Sequence, residues 1–111
     1  GSKILILGVA YKQDIDDYRE SPAIRVIEEF LRTGAEVEYY DPYISEYTEK
    51  DHTMAGLKEL SAEKLQSADL VVITTAHTKV DYDFIQQKSQ AIFDTKNAMK
   101  SVKNRDKVEL L

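Results

Sequence analysis

Lys12 and Arg19 share one short loop with Asp14, Asp16, Asp17 and Glu20, in the stretch "GVAYKQDIDDYRESP" from Gly8 to Pro22. Cations set among carboxylates are equipment for holding an anion: lysine supplies a point charge, arginine a planar fork of donors, and neighbouring acids orient both. Further chemistry-bearing residues are Asp41 and Tyr43, His77 and Lys79, and Asp94, Lys96 and Asn97. Each has a plainer reading beside the functional one. Lys12 reads equally as a solvated lysine, and Arg19 as the partner of a nearby acid or of a helix end. His77 reads first as a loop histidine hydrogen-bonded to backbone and second as a base or metal ligand, since neither His52 nor His77 has partners at metal-ligand spacing. Tyr39, Tyr40 and Tyr43 read as strand-end packing before they read as a base-stacking platform. The loop acids orient Lys12 and Arg19, with acid–base chemistry a minor use; Asp16 and Asp17, being adjacent, diverge.

These residues need elements to position them. "KILILGV" is a continuous apolar run without alternation, the pattern of a central strand covered on both faces, and predicts a strand over Lys3 to Val9. Ser21 followed by Pro22 reads as an N-cap with proline at the first helical position. Ala23, Val26, Ile27, Phe30 and Leu31 then share one helical face, and Gly34 is the stop. "EVEYY" predicts a second strand ended by Asp41 and Pro42. Ile44 to Gly56 is polar and weakly patterned and is expected to be loop, with a short strand at Leu57 to Glu59. Ser61 caps a short helix through Ala68, with Leu60 and Leu65 as a hydrophobic staple. "ADLVVITT" is another buried strand, Asp81 caps a helix from Tyr82 to about Lys88, and "AIFD" is a further short strand. A helical turn near Asn97 to Lys100 and an edge strand at "KVELL" complete the expectation. Strands alternating with helices over short connections predict an α/β fold, a Rossmann-like, doubly wound, mainly parallel sheet of about five to six strands with helices on both faces. In such sheets ligands bind at the carboxyl ends of the strands, and the unusual residues collect at those ends.

The length of 111 residues fits one domain. Gly1 and Ser2 read as a cleavage scar, and residues 3–111 as a single domain excised from a longer polypeptide. The net charge of −5 argues against nucleic acid and anionic membrane as partners, so any anionic ligand must be held by a few local cations. The chain has no cysteine, which excludes disulfides, thiolate metal sites and thiol nucleophiles within it. No apolar run reaches membrane-span length and no signal-peptide pattern opens the chain, which predicts a cytoplasmic protein. After the first strand there is one glycine, Gly8, where a dinucleotide cradle would have G-x-G-x-x-G; phosphate binding must therefore use side-chain cations such as Lys12.

"GVAYKQDIDDYRESPA", "GAEVEYYDPYI", "VVITTAH" and "IFDTKNAM", in that order over nearly the whole chain, resemble the C-terminal nucleotide-sugar-binding domain of the UDP-glucose/GDP-mannose dehydrogenase family. The first block is most similar to the branch that oxidises UDP-N-acetylglucosamine or UDP-N-acetylmannosamine to the uronic acid. The resemblance implies an NAD-dependent UDP-sugar 6-dehydrogenase whose N-terminal NAD-binding domain, catalytic cysteine and lysine precede this segment, and whose thiol passes through a thiohemiacetal and a thioester. It implies that Tyr11 and Lys12 lie against the UDP-sugar and that Arg19 reaches across a cleft toward NAD, which is bound mainly by the other domain. It also implies a parent enzyme that is a homodimer or larger, serving polysaccharide precursor synthesis, with this segment inactive alone. Where many members have arginine in "FD-x-RN", this chain has Lys96, which keeps the charge of a substrate contact but loses the bidentate fork. The competing reading is a stand-alone flavodoxin-like regulatory or interaction module without catalysis; "GVAYK" in place of clustered acids after the first strand disfavours it.

Overall fold

Ile4, Leu5, Ile6 and Leu7 are all buried, alternating between the two faces of one strand, so both faces must carry cover. The computed structural model describes residues 2–10, 14, 17–19, 21–49, 52–95 and 108–110, the last three as backbone. The strand is β1, Lys3–Leu7, and it is followed by α1 (Pro22–Arg32), β2 (Glu36–Tyr40), β3 (Glu46–Glu49), β4 (His52–Ala55), α2 (Ala62–Ser67), β5 (Leu70–Ile73), α3 (Tyr82–Lys88), β6 (Ile92–Asp94) and β7 (Val108–Leu110). The main sheet has five strands in the order β2-β1-β5-β6-β7, all parallel; β3 and β4 form a separate antiparallel pair.

Two cores result. On one face α1 lays Ala23, Ile24 and Ile27 over Ile4, Ile6, Tyr39 and Val72. On the other, Leu65 of α2 and Ile85 of α3 cover Leu5, Leu7, Val71, Ile73 and Ile92. Full burial of each such aliphatic side chain stabilises the fold by about 1.5–3 kcal/mol. The doubly wound α/β class expected from sequence is therefore observed. The caps match as well: Ser21 accepts from the Ala23 N–H, Ser61 from the Lys64 N–H and Asp81 from the Phe84 N–H.

Three local expectations are corrected. First, β1 stops at Leu7, because Gly8 turns to φ +90 and the Val9 and Ala10 N–H groups leave the ladder for the Asp41 carboxylate. Second, the segment expected to be loop contains the β3–β4 hairpin, whose Tyr47 is buried against Tyr39 with ring centroids 5.6 Å apart. Each strand is short and turns mostly polar side chains to solvent, so Tyr47 and its cross-strand partner Met54 were the only apolar signal. Third, Leu57 to Glu59 form no strand. The expected turn near Asn97 to Lys100 lies outside the described residues.

Gly8 is the sharpest backbone constraint at the end of β1. A Cβ there would lie 2.5 Å from both the Thr75 carbonyl oxygen and the Thr75 Cβ, in addition to the left-handed φ. Gly34, at φ +88 after α1, has nothing within 4 Å of such a Cβ. Gly34→Ala is therefore expected to lose about 1–2 kcal/mol, the ordinary left-handed penalty, and Gly8→Ala clearly more. Thermal or denaturant unfolding of the two variants checks this; equal losses would mean that the Thr75 contact relaxes freely.

Candidate functional site

In sheet order 2-1-3-4-5, counting only the parallel strands, chain direction across the sheet reverses between the first and third, which here are β1 and β5. The crevice at their carboxyl ends is the expected ligand position in an open α/β sheet. Its floor is the segment Gly8 to Ala10. The Gly8 N–H donates to the Tyr40 carbonyl at 2.9 Å, continuing the pairing with β2. The Ala10 carbonyl accepts from the Thr75 hydroxyl at 2.8 Å and the Ser21 hydroxyl at 3.4 Å, which joins the end of β1 to β5 and to the N-cap of α1. Thr74 donates its hydroxyl to the carbonyls of Leu7 and Gly8, and Thr95, after β6, donates to the Ile73 carbonyl.

Asp41 is the hub. Its Oδ2 accepts from the Val9 N–H at 2.8 Å, the Ala10 N–H at 3.1 Å and His77 Nε2 at 2.8 Å, while Oδ1 accepts from the Tyr43 N–H at 2.8 Å. Burial would raise the pKa of this carboxyl. The His77 donor, then the Tyr43 and Val9 N–H groups, outweigh it and leave the pKa below the ordinary value. His77 is wholly buried. Its Nδ1 accepts from the Asp14 backbone N–H at 2.7 Å, and a backbone N–H can only donate, so the ring proton resides on Nε2 and points at Asp41. Asp14 itself takes a left-handed φ of 62, tolerated by aspartate, and its carboxylate accepts from the N–H and hydroxyl of Thr78. Tyr82 donates its hydroxyl to the His77 carbonyl at 2.9 Å. Burial raises the Tyr82 pKa, and the charges of Asp94, Asp14 and Asp41 raise it further, so the rim is locally acidic.

The sequence-derived candidates fare differently. Asp41, Tyr43, His77, Lys79 and Asp94 do converge on one end of the sheet. His77 takes its plainer part, hydrogen-bonded and buried, and is neither exposed as a base nor grouped for metal; among the described residues no cluster of His, Asp and Glu could hold a metal ion. Tyr39 packs in the core, whereas Tyr43 lies between His77, with centroids 4.9 Å apart, and Lys79, whose Nζ is 4.8 Å from the ring centroid. Arg19 meets Asp17 through Nε to Oδ1 and Nη2 to Oδ2, both 3.0 Å, and the pair holds the Asp17 pKa below its usual value. The Arg19 side chain is nonetheless 83% exposed. Tyr11, Lys12 and Lys96 lie outside the described residues. The Asp41–His77–Asp14 connection was not foreseen, because it joins positions 14, 41 and 77, which no sequence spacing relates. Nor was Thr75, whose only signal was two threonines ending an otherwise apolar strand. At the opposite end, a groove of about 250 Å³ lies beside α2, lined by Lys3, Glu36, Glu38 and Lys64 among others; Lys64 and Glu38 pair across it at 3.1 Å.

Residues 5–101 match the family described as "UDP-glucose/GDP-mannose dehydrogenase family, UDP binding domain". The chain belongs to this family. Within it, the chain is 35% identical over 105 residues to a UDP-N-acetyl-D-mannosamine dehydrogenase of Methanococcus maripaludis, covering 87% of this chain and 23% of that protein. It is also 35% identical over 108 residues to a UDP-glucose 6-dehydrogenase of Rickettsia bellii, covering 91% of this chain and 25% of that protein. Among solved structures, the UDP-N-acetyl-mannosamine dehydrogenase Cap5O from Staphylococcus aureus superposes with a TM-score of 0.70 at 31% identity, over 99% of this chain and 25% of Cap5O. An NDP-N-acetyl-D-galactosaminuronic acid dehydrogenase from Methanosarcina mazei superposes with a TM-score of 0.78 at 25% identity, over 99% of this chain and 24% of that one. This UDP-binding domain thus spans about a quarter of the length of these relatives. Among the described residues, Gly8 after β1 lies close against Thr75, and the N-terminus of α1 is capped by Ser21, itself buried.

Because Asp41 has a depressed folded-state pKa, its stabilisation is complete above the unfolded value of about 3.9 and disappears as pH falls through the folded value. Asp41→Asn turns an amide N–H toward donors and is expected to cost about 3 kcal/mol at neutral pH, with a flatter decline of stability below about pH 4. Urea unfolding across pH checks both; an unchanged acid limb would remove Asp41 from the role of hub.

Proposed function

We propose that the crevice at the carboxyl ends of β1 and β5 holds the uridine diphosphate (UDP) of a UDP-sugar, as the substrate-binding domain of an NAD-dependent UDP-sugar 6-dehydrogenase. The observation that carries this reading is that β1, which Lys12 and Arg19 follow in the sequence, ends where the strand order reverses, and that Asp14 is tied to His77 after β5. Family membership supports the nucleotide, and the acidity of Asp41, Asp94 and Asp14 makes side-chain cations necessary for any phosphate bound there. Lys12, with Tyr11 beside it, takes the diphosphate; Lys96, following Asp94 at the end of β6, adds a second positive charge without the bidentate geometry of arginine. Arg19, exposed and oriented by Asp17, serves the neighbouring NAD-binding domain of the same polypeptide. NAD supplies the oxidising power when bound there. The chain contains no cysteine, so the thiol that the family resemblance calls for comes from that other domain. The substrate is a UDP-N-acetylhexosamine, with UDP-glucose the alternative, and the product is the uronic acid, which feeds polysaccharide synthesis in the cytoplasm.

Calorimetric titration tests the reading. The 111-residue chain is expected to bind UDP measurably, to bind NAD far more weakly and to produce no NADH from any UDP-sugar. Turnover by this chain alone, or preference for NAD over UDP, would contradict it. In the full-length enzyme, Lys12→Ala is expected to weaken UDP-sugar binding by about 1.5–3 kcal/mol with little effect on NAD, the cost of a lost hydrogen bond to charge. Arg19→Ala is expected to raise the Michaelis constant for NAD while the melting temperature of the domain barely moves; unchanged NAD kinetics with a marked stability loss would reduce Arg19 to a partner of Asp17.

A further inference from the structure

We propose that His77 is a positioning residue for the nucleotide site, a buried latch that holds Asp14 against the ends of β2 and β5; this rests on the nucleotide-site reading above. Two backbone points at this end of the sheet, on either side of Lys12 in the sequence, are anchored. One anchor is Ala10, whose N–H is held by Asp41 and whose carbonyl is held by Thr75 and Ser21. The other is Asp14, and its N–H is held by His77 alone among the hydrogen bonds of the described residues, at 2.7 Å. One imidazole links the two. His77 Nε2 donates to the same Asp41 Oδ2 that receives the Ala10 N–H, and Nδ1 receives the Asp14 N–H. The ring can do both only as the neutral tautomer with its proton on Nε2, and the Asp41 carboxylate enforces that tautomer. Thr78, next to His77 in the chain, clamps the Asp14 carboxylate with its N–H at 2.8 Å and its hydroxyl at 3.0 Å. The end of β5 thereby grips both the backbone and the side chain of one loop residue, which accounts for the left-handed φ of 62 that Asp14 adopts there. A crevice wall held this way has less ordering left to do when a diphosphate binds.

The two ring nitrogens can be tested separately, because asparagine sets an amide oxygen where Nδ1 lies and cannot reach Asp41, whereas glutamine reaches Asp41 with its amide donor and leaves the Asp14 N–H without an acceptor. UDP affinity by calorimetry, melting temperature, and exchange of the Asp14 amide by NMR are read on the unsubstituted chain, His77→Asn and His77→Gln. The latch predicts opposite rankings. His77→Gln is expected to lose about tenfold in UDP affinity with faster Asp14 exchange, while His77→Asn melts lower yet binds UDP within about twofold of the unsubstituted chain. A purely structural histidine would make affinity follow stability, so unchanged UDP affinity in His77→Gln, or the larger affinity loss in His77→Asn, overturns the proposal. If His77→Asn does not fold, Thr78→Val serves, since Thr78 is exposed and the change removes only the hydroxyl clamp. It is expected to weaken UDP binding about threefold at an unchanged melting temperature, and no change in affinity would again overturn the latch. Failure of the unsubstituted chain to bind UDP would overturn the nucleotide-site reading and the positioning role with it, and Asp14 exchange in His77→Gln would then report separately whether the loop is latched at all.

Discussion

A single buried carboxylate, Asp41, joins three strand ends. It belongs to the chain leaving β2, it takes the two N–H groups that β1 releases when Gly8 turns out of the ladder, and it takes the proton of the histidine that follows β5. A carboxylate withdrawn from water is costly unless its lone pairs are filled, and here four donors fill them. The rest of the crevice depends on that solution. The left-handed Gly8 frees the donors, the close approach of Thr75 excludes any side chain at Gly8, and the neutral His77 extends the network from the strand ends to Asp14 in the loop.

The same arrangement explains an apparent conflict between site and ligand. The end of the sheet assigned to a diphosphate carries buried or partly buried acids, Asp41 and Asp94 among them. Asp41 has both oxygens engaged by protein donors, so its lone pairs are committed to the fold. The dinucleotide solution, backbone N–H groups of a glycine-rich turn at a helix N-terminus, is unavailable because the N–H groups after β1 are already committed to Asp41 and α1 is capped by its own serine. Among the described residues the rim offers one cation beside these acids, Lys79, stacked on Tyr43.

Much of this was legible in the residues. The apolar run of β1, the Ser21–Pro22 start of α1 and the Asp81 cap of α3 state their structures locally, because each depends on residues within one turn or strand. The β3–β4 hairpin did not, since its one buried aromatic per register, Tyr47, gains its meaning only from Tyr39 across the core. The rim residues could be placed at strand ends by topology alone, but the Asp41–His77–Asp14 connection joins parts of the chain that no periodicity relates. The family likewise was legible from four blocks of motif, and the match over residues 5–101 agrees with it. That Asp41 serves the fold was visible only once its hydrogen-bond partners were known.

The central claim is that the nucleotide occupies the carboxyl ends of β1 and β5. Amide chemical-shift mapping of the chain titrated with UDP tests it most directly. Saturable shifts concentrated at Gly8, Val9, Ala10, Asp14, Thr75, His77 and Thr95, with the groove around Lys3, Glu36 and Lys64 silent, are the result this account predicts. Shifts centred on that groove, or none at saturating UDP, would contradict it.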